Sequence, residues 1–143
     1  MSTQSISSEA GPTAFPAGVG PGRVAVWSGR VLGGLIGVLL VMSAVMKLSG
    51  SPEVAAGFAH LGLPADSITK IAVLELVCAL VYLVPYTAVL GAVLVTGYMG
   101  GAIAMHVRLG EPFVTQLVIG MLAWGALYLR DARVRGLLPL RAF

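Results

Sequence analysis

The chain is poor in the residues that most chemistry needs. It has one cysteine, Cys78. That excludes an intramolecular disulfide and any dithiol redox pair. Cys78 lies in an apolar run, where a thiol behaves as a small hydrophobe. Only 10% of the residues are charged, against about a quarter in a soluble domain. There are two histidines, His60 and His106, whereas zinc sites recruit three or four ligands; no metal site is expected. No phosphate-binding glycine loop, nucleophile elbow or catalytic triad motif is present. Net charge is +3, but the basic residues sit at the ends of apolar runs. That pattern reads as membrane topology, with no nucleic-acid patch.

What remains is apolar: 57% of the 143 residues are hydrophobic. Residues 1–22, rich in Ser, Gly, Pro and Thr, have neither the basic start nor the apolar core of a secretory signal, and read as a disordered tail. Residues 23–143 read as one membrane domain. It has four apolar stretches, at about 25–48, 68–84, 88–107 and 113–129, each near the ~20 residues that span hydrocarbon. The runs are continuous instead of alternating, and an open sheet in lipid would leave backbone groups unpaired. The expected fold is therefore all-α, a transmembrane antiparallel four-helix bundle.

The connections carry further information. Pro85-Tyr86-Thr87 and Arg108 to Pro112 are tight turns, which force antiparallel neighbours. The first connection is longer. Ser51-Pro52-Glu53 is a helix start, with a capping Ser, Pro in the first turn and an acid at the positive dipole end. Val54, Phe58 and Leu61 recur on one face, and Gly62 is a stop. A short amphipathic helix on the membrane surface is expected here.

An even number of spans puts both termini on one side. That side holds Arg23, Arg30, Arg130, Arg133, Arg135 and Arg141; the other holds Lys47, Lys70 and Arg108. The excess of basic residues predicts cytoplasmic termini. Gly33 and Gly37 are four apart, as are Gly97 and Gly101, with Gly100 beside them; small residues at this spacing let helices approach closely.

Glu75 is the one charge in the run Ile71–Val84. A carboxylate there is costly and needs a partner. Lys47 and His106 end two other runs, and Cα–Cβ bonds tilt toward helix N-termini. On the topology above, Lys47 and His106 lean inward and Glu75 leans outward to meet them. Gln116, one turn into the fourth run, starts near the same level. Lys47, Glu75, His106 and Gln116 are thus the candidate polar centre, in the outer half of the bilayer. Two alternatives stay open: Lys47 reaching outward to water, and His106 alone at the interface. Glu75, Cys78 and Tyr82 share one stripe, and His106, Met99 and Val95 another. Together they could line a groove for a flat apolar ligand or form packed core.

Several stretches are similar to one family. They are Ser43-Ala44-Val45-Met46-Lys47-Leu48, Leu61-Gly62-Leu63-Pro64, Leu74-Glu75-Leu76, the run Gly97-Tyr98-Met99-Gly100-Gly101 through His106, and Leu129-Arg130-Asp131. In this order, across about residues 28–140, the chain resembles the DoxX-like family of small bacterial membrane proteins. The resemblance implies four membrane helices in a bacterial cytoplasmic (inner) membrane. Relatives are associated with quinone-linked sulfur oxidation, with membrane oxidoreductase assemblies and with receptor-assembly chaperones. Three functions are therefore expected candidates. The first is an accessory subunit of a quinone-linked redox system, with quinone as the ligand. The second is a non-enzymatic assembly factor or scaffold, meeting a membrane-protein partner or a second copy through its glycine faces. The third is a proton or small-solute pathway built as an oligomer. In none of them is the chain expected to be a stand-alone enzyme.

Overall fold

A computed structural model describes residues 22–137. The expected N-terminal tail lies outside them, save for Gly22, as does Arg141. The described chain is all-α: α1 Arg23–Leu48, α2 Pro52–His60, α3 Asp66–Leu83, α4 Ala88–Leu109, α5 Val114–Arg130 and α6 Ala132–Leu137. The four apolar runs coincide with α1, α3, α4 and α5.

Local chemistry sets the boundaries. Ser51 caps α2, its hydroxyl accepting from the Val54 N–H at 3.3 Å, with Pro52 and Glu53 in the first turn. Gly62, at φ 69°, ends that helix, and the Leu63 N–H returns to the Phe58 carbonyl at 2.9 Å. This left-handed stop is cheap only for glycine. The same device closes α4, where Gly110 has φ 71° and the Glu111 N–H reaches the His106 carbonyl at 2.9 Å. α3 stops ahead of Pro85, and the Thr87 hydroxyl donates to the Val81 carbonyl at 2.8 Å in the turn.

α6 is a helix that the sequence reading did not anticipate. Asp131 starts it, accepting from the Arg133 N–H at 2.9 Å. Arg135 then folds back, donating to the carbonyls of Tyr128 at 2.7 Å and Leu129 at 3.1 Å. These carbonyls belong to the last turn of α5, which needs such partners. An Asp after an arginine-ended helix was the available signal.

Helix α1 packs on α3 and α5, and α4 packs on the same two helices, closing a ring of four with α1 and α4 diagonal. By length and composition, two helices are apolar enough to cross a membrane, α1 and α4. α3 carries Asp66, Lys70 and Glu75, and α5 has 17 residues. Long apolar side chains nevertheless point outward from all four, among them Leu35, Val77, Leu90 and Val118.

One end of the ring is densely filled. Tyr82 is fully buried, and its hydroxyl donates to the Ala123 carbonyl at 3.0 Å, tying α3 to α5. Arg130 lies over its ring at 5.7 Å. Glycines allow this closeness. A Cβ on Gly29 would stand 2.6 Å from the Ala126 carbonyl oxygen. One on Gly33 would stand 3.2 Å from Arg130 Nη1 and 3.3 Å from the Tyr82 hydroxyl. Gly37 meets the Leu83 side chain, and Gly91 meets the backbone of Tyr82. Between α4 and α5, the Trp124 indole donates to Thr96 at 2.9 Å, and Thr96 donates in turn to the Ala92 carbonyl at 2.8 Å. Polar groups in the apolar helices at this end are thus mostly engaged, as burial demands.

The other α4 glycines behave differently. A Cβ on Gly97, Gly100 or Gly101 would meet no heavy atom within 4 Å. Within this chain they are therefore not packing residues, contrary to the reading from their spacing. A four-residue interval says that two glycines share a face and does not say what stands opposite.

Candidate functional site

The opposite end of the ring is hollow. A cavity of about 770 Å³ lies among α1, α3, α4 and α5, with Phe58 of α2 on its wall. Its lining is mostly apolar, but every ring helix places a polar group on it: Lys47 from α1, Glu75 from α3, His106 from α4 and Gln116 from α5.

These four groups form two separate pairs. Lys47 Nζ donates to Glu75 Oε2 at 2.7 Å and to Ser43 Oγ, one turn back, at 2.6 Å. The Glu75 side chain is 3% exposed and that of Lys47 19%. The Lys47 ammonium is thus met by the Glu75 carboxylate and by the Ser43 hydroxyl.

His106 stands apart from this ion pair. Its Nδ1 lies 2.8 Å from the Ala102 carbonyl oxygen, which can only accept, so Nδ1 carries a proton. Its Nε2 lies 3.2 Å from Gln116 Nε2. The Gln116 side-chain amide thus engages the second ring nitrogen. Gln116 Oε1 is then buried without a partner. No hydrogen bond joins His106 to the Lys47–Glu75 pair among the described residues. The expected single network of Lys47, Glu75 and His106 is thus a pair and a pair, facing one cavity.

Tyr98 and Cys78 border the same cavity, close enough for their side chains to feel the Glu75 charge. Tyr98 was legible only as part of the Gly97–Gly101 motif; its place beside a carboxylate on α3 depends on how α4 is rotated. Met99 also faces the cavity. Tyr82 and Val95, whose helical stripes left groove and packed core both open, are packed core at the other end and middle of the ring. His60 bonds Glu111 through Nε2 at 2.7 Å and ties α2 to the α4–α5 turn. Arg108 donates to the Leu61 carbonyl and holds the same junction. Among the described residues, no cluster of three metal-ligating side chains occurs.

The arrangement can hold a molecule with an apolar body and a small polar head. About 770 Å³ is within the range of small-molecule sites, which are mostly apolar with a few placed polar groups. Lys47 and Tyr98 can donate to such a head, and Glu75 can accept from it.

The DoxX-like family model matches residues 31–127. The chain belongs to that family, and the match runs from Val31 within α1 through most of α5. No curated protein and no solved structure matches the chain significantly.

Proposed function

We propose that this DoxX-like protein spans the bacterial cytoplasmic membrane four times, with both termini inside, and binds a lipid-soluble ligand of the quinone class. In this reading it is an accessory subunit of a membrane redox system. The observation that carries the proposal is the cavity to which four helices each bring a polar side chain, with Glu75 and Lys47 paired on its wall.

Two features support four spans. The three charges that set α3 apart from a plain membrane helix are placed harmlessly: Glu75 faces inward on Lys47, while Asp66 and Lys70 pair at the helix start at 2.7 Å. Val73, Val77 and Leu80 of α3 and Val114, Val118 and Met121 of α5 face outward and exposed, as lipid-facing residues do. The basic residues Arg23, Arg30, Arg130, Arg133 and Arg135 gather at the filled end, which is then cytoplasmic. The hollow end lies in the outer half of the bilayer.

The test is ligand content. Protein purified in mild detergent should carry quinone extractable by organic solvent, and the Glu75→Gln variant, if folded, should carry much less. Equal quinone in both proteins, or none in either after growth in quinone-replete cells, would contradict the proposal.

The assembly-factor reading has an observation of its own. Gly100, which is not among the residues lining the cavity, leaves open space beside α4, where a partner helix could come within backbone distance. It predicts that Gly100→Leu abolishes co-purification of a partner protein while Glu75→Gln leaves it intact.

A further inference from the structure

The cavity does not end at its polar wall. A second space of about 520 Å³ lies beside it, between the last turns of α1 and the surface helix α2. Leu39, Ser43, Lys47, Phe58, Leu61 and His106 border both spaces. The second space is otherwise flanked by Met42, Met46, Val54 and Gly57, with the His60–Glu111 pair also on its wall. Met42 and Met46 are largely exposed on α1, so this space opens sideways, to lipid on the four-span reading. Methionines suit a surface that must fit flexible chains.

The roof is lightly held. Phe58, 8% exposed, is the buried residue of α2, and it stands where the two spaces meet. The ends of α2 are left-handed glycines, Gly50 and Gly62. Its other ties are the His60–Glu111 and Arg108–Leu61 contacts.

The geometry points to a two-chamber site for a single-tailed amphiphile. The compact, oxygen-bearing head occupies the inner cavity at Lys47, Glu75 and Tyr98. The tail passes Phe58 and leaves under α2, along Met42, Met46 and Gly57, into the outer leaflet. This rests on the ligand reading above and adds to it a shape requirement: one long apolar tail, attached to the head at the side facing α2.

Cys78 gives a built-in reporter. It is the only thiol in the chain and borders the inner cavity. Protein in nanodiscs would be alkylated with a small apolar maleimide in the presence of tetramethylbenzoquinone, which has no tail, or of decylubiquinone, which has one. Both rings are fully substituted and do not add readily to thiols. Protection is read against the mole fraction of probe in the bilayer, so that partitioning cancels. Three proteins are compared: the native chain, Gly57→Ala and Gly57→Phe. A Cβ at Gly57 would meet no heavy atom within 4 Å, and replacing glycine inside a helix removes a helix-weakening residue. The phenylalanine should therefore fill the tail groove without disturbing the fold.

The expected result is protection of Cys78 by both probes in the native chain, with the tailed probe effective at a roughly tenfold lower mole fraction. Gly57→Ala keeps that advantage. Gly57→Phe loses it while the tailless probe protects as before. A tail advantage that survives in Gly57→Phe overturns the proposal and leaves the inner site standing. So does loss of protection by both probes in Gly57→Phe, since head and tail would then share one space. If the tailless probe protects none of the three proteins, the inner site itself is contradicted, and the tail groove falls with it. Tm shifts of the same proteins with each probe give a second readout, which does not depend on thiol reactivity.

Discussion

The two ends of the helix ring are built from similar residues to opposite effect. At the Arg130 end, Gly29, Gly33 and Gly91 let backbones close on Tyr82 and Ala126, and no room is left. At the Lys47 end, Gly97 and Gly101 face open space, and about 770 Å³ stays unfilled. Both ends bury polar groups. At the closed end the Tyr82 hydroxyl is satisfied by a carbonyl, and the contact locks two helices together. At the open end the polar atoms pair along a wall and donors remain free to meet something else, while each end keeps one buried atom without a partner, Gln116 Oε1 here and Arg130 Nη2 at the closed end. Glycine therefore has no fixed meaning in such a chain; it closes one end and opens the other, according to what the facing helix presents.

This contrast can be broken first at its most costly contact. Lys47→Met leaves Glu75 buried and unpaired, and should lower stability by about 3–5 kcal/mol. Adding Glu75→Gln should recover much of that loss. A double-mutant cycle by unfolding in mixed micelles measures the coupling, and additive losses would mean that the pair contributes nothing.

The glycines sharpen the same contrast. Gly91→Ala drives a methyl into the Tyr82 backbone and should cost about 1–3 kcal/mol. Gly97→Ala meets nothing and should be neutral, or stabilise by up to about 1 kcal/mol through helix propensity. Thermal unfolding of the two variants side by side checks this; equal losses would show that both ends are packed.

Gln116→Leu removes the donor to His106 Nε2 and also the orphaned amide oxygen. Its cost should be about 1 kcal/mol. It should also be additive with Glu75→Gln, because the two polar pairs are separate. Strong non-additivity would join them into the single network that the sequence suggested.

The smallest effect belongs to the roof. His60 and Glu111 are substantially exposed, at 65% and 34% of their side chains, so Glu111→Gln should change global stability by less than about 1 kcal/mol. Amide exchange in α2 should nonetheless speed up while that of α1 stays unchanged.

Much of this was legible in the chain. Ser51-Pro52, Gly62, Pro85 and Gly110 punctuate the apolar runs, so α2 and the turns followed from local chemistry. Glu75 was conspicuous because it is the one carboxylate in its run, and Lys47 was one of two basic groups that could reach it. What the sequence could not supply was rotation. A stripe on α3 groups Glu75 with Tyr82, but the cavity ends between them. The spacing of Gly97 and Gly101 resembles a packing motif and faces open space, whereas Gly29, Gly33 and Gly37 share that spacing and do pack, and Gly91 packs with no glycine four residues away. The same ignorance of rotation hid Tyr98 and linked His106 to Glu75 when its partner is Gln116. α6 was missed for a different reason: its start rests on one Asp side chain in a segment read only for its charge.

The most direct test of a ligand site at the open end is photolabelling with an azido-quinone in liposomes, mapped by mass spectrometry. Adducts should be confined to the cavity wall, at residues such as Leu39, Lys47, Glu75, Tyr98, His106 and Gln116, and weakened in Glu75→Gln. Adducts spread over outward-facing residues such as Leu35, Val77 and Val118, and indifferent to Glu75, would contradict it.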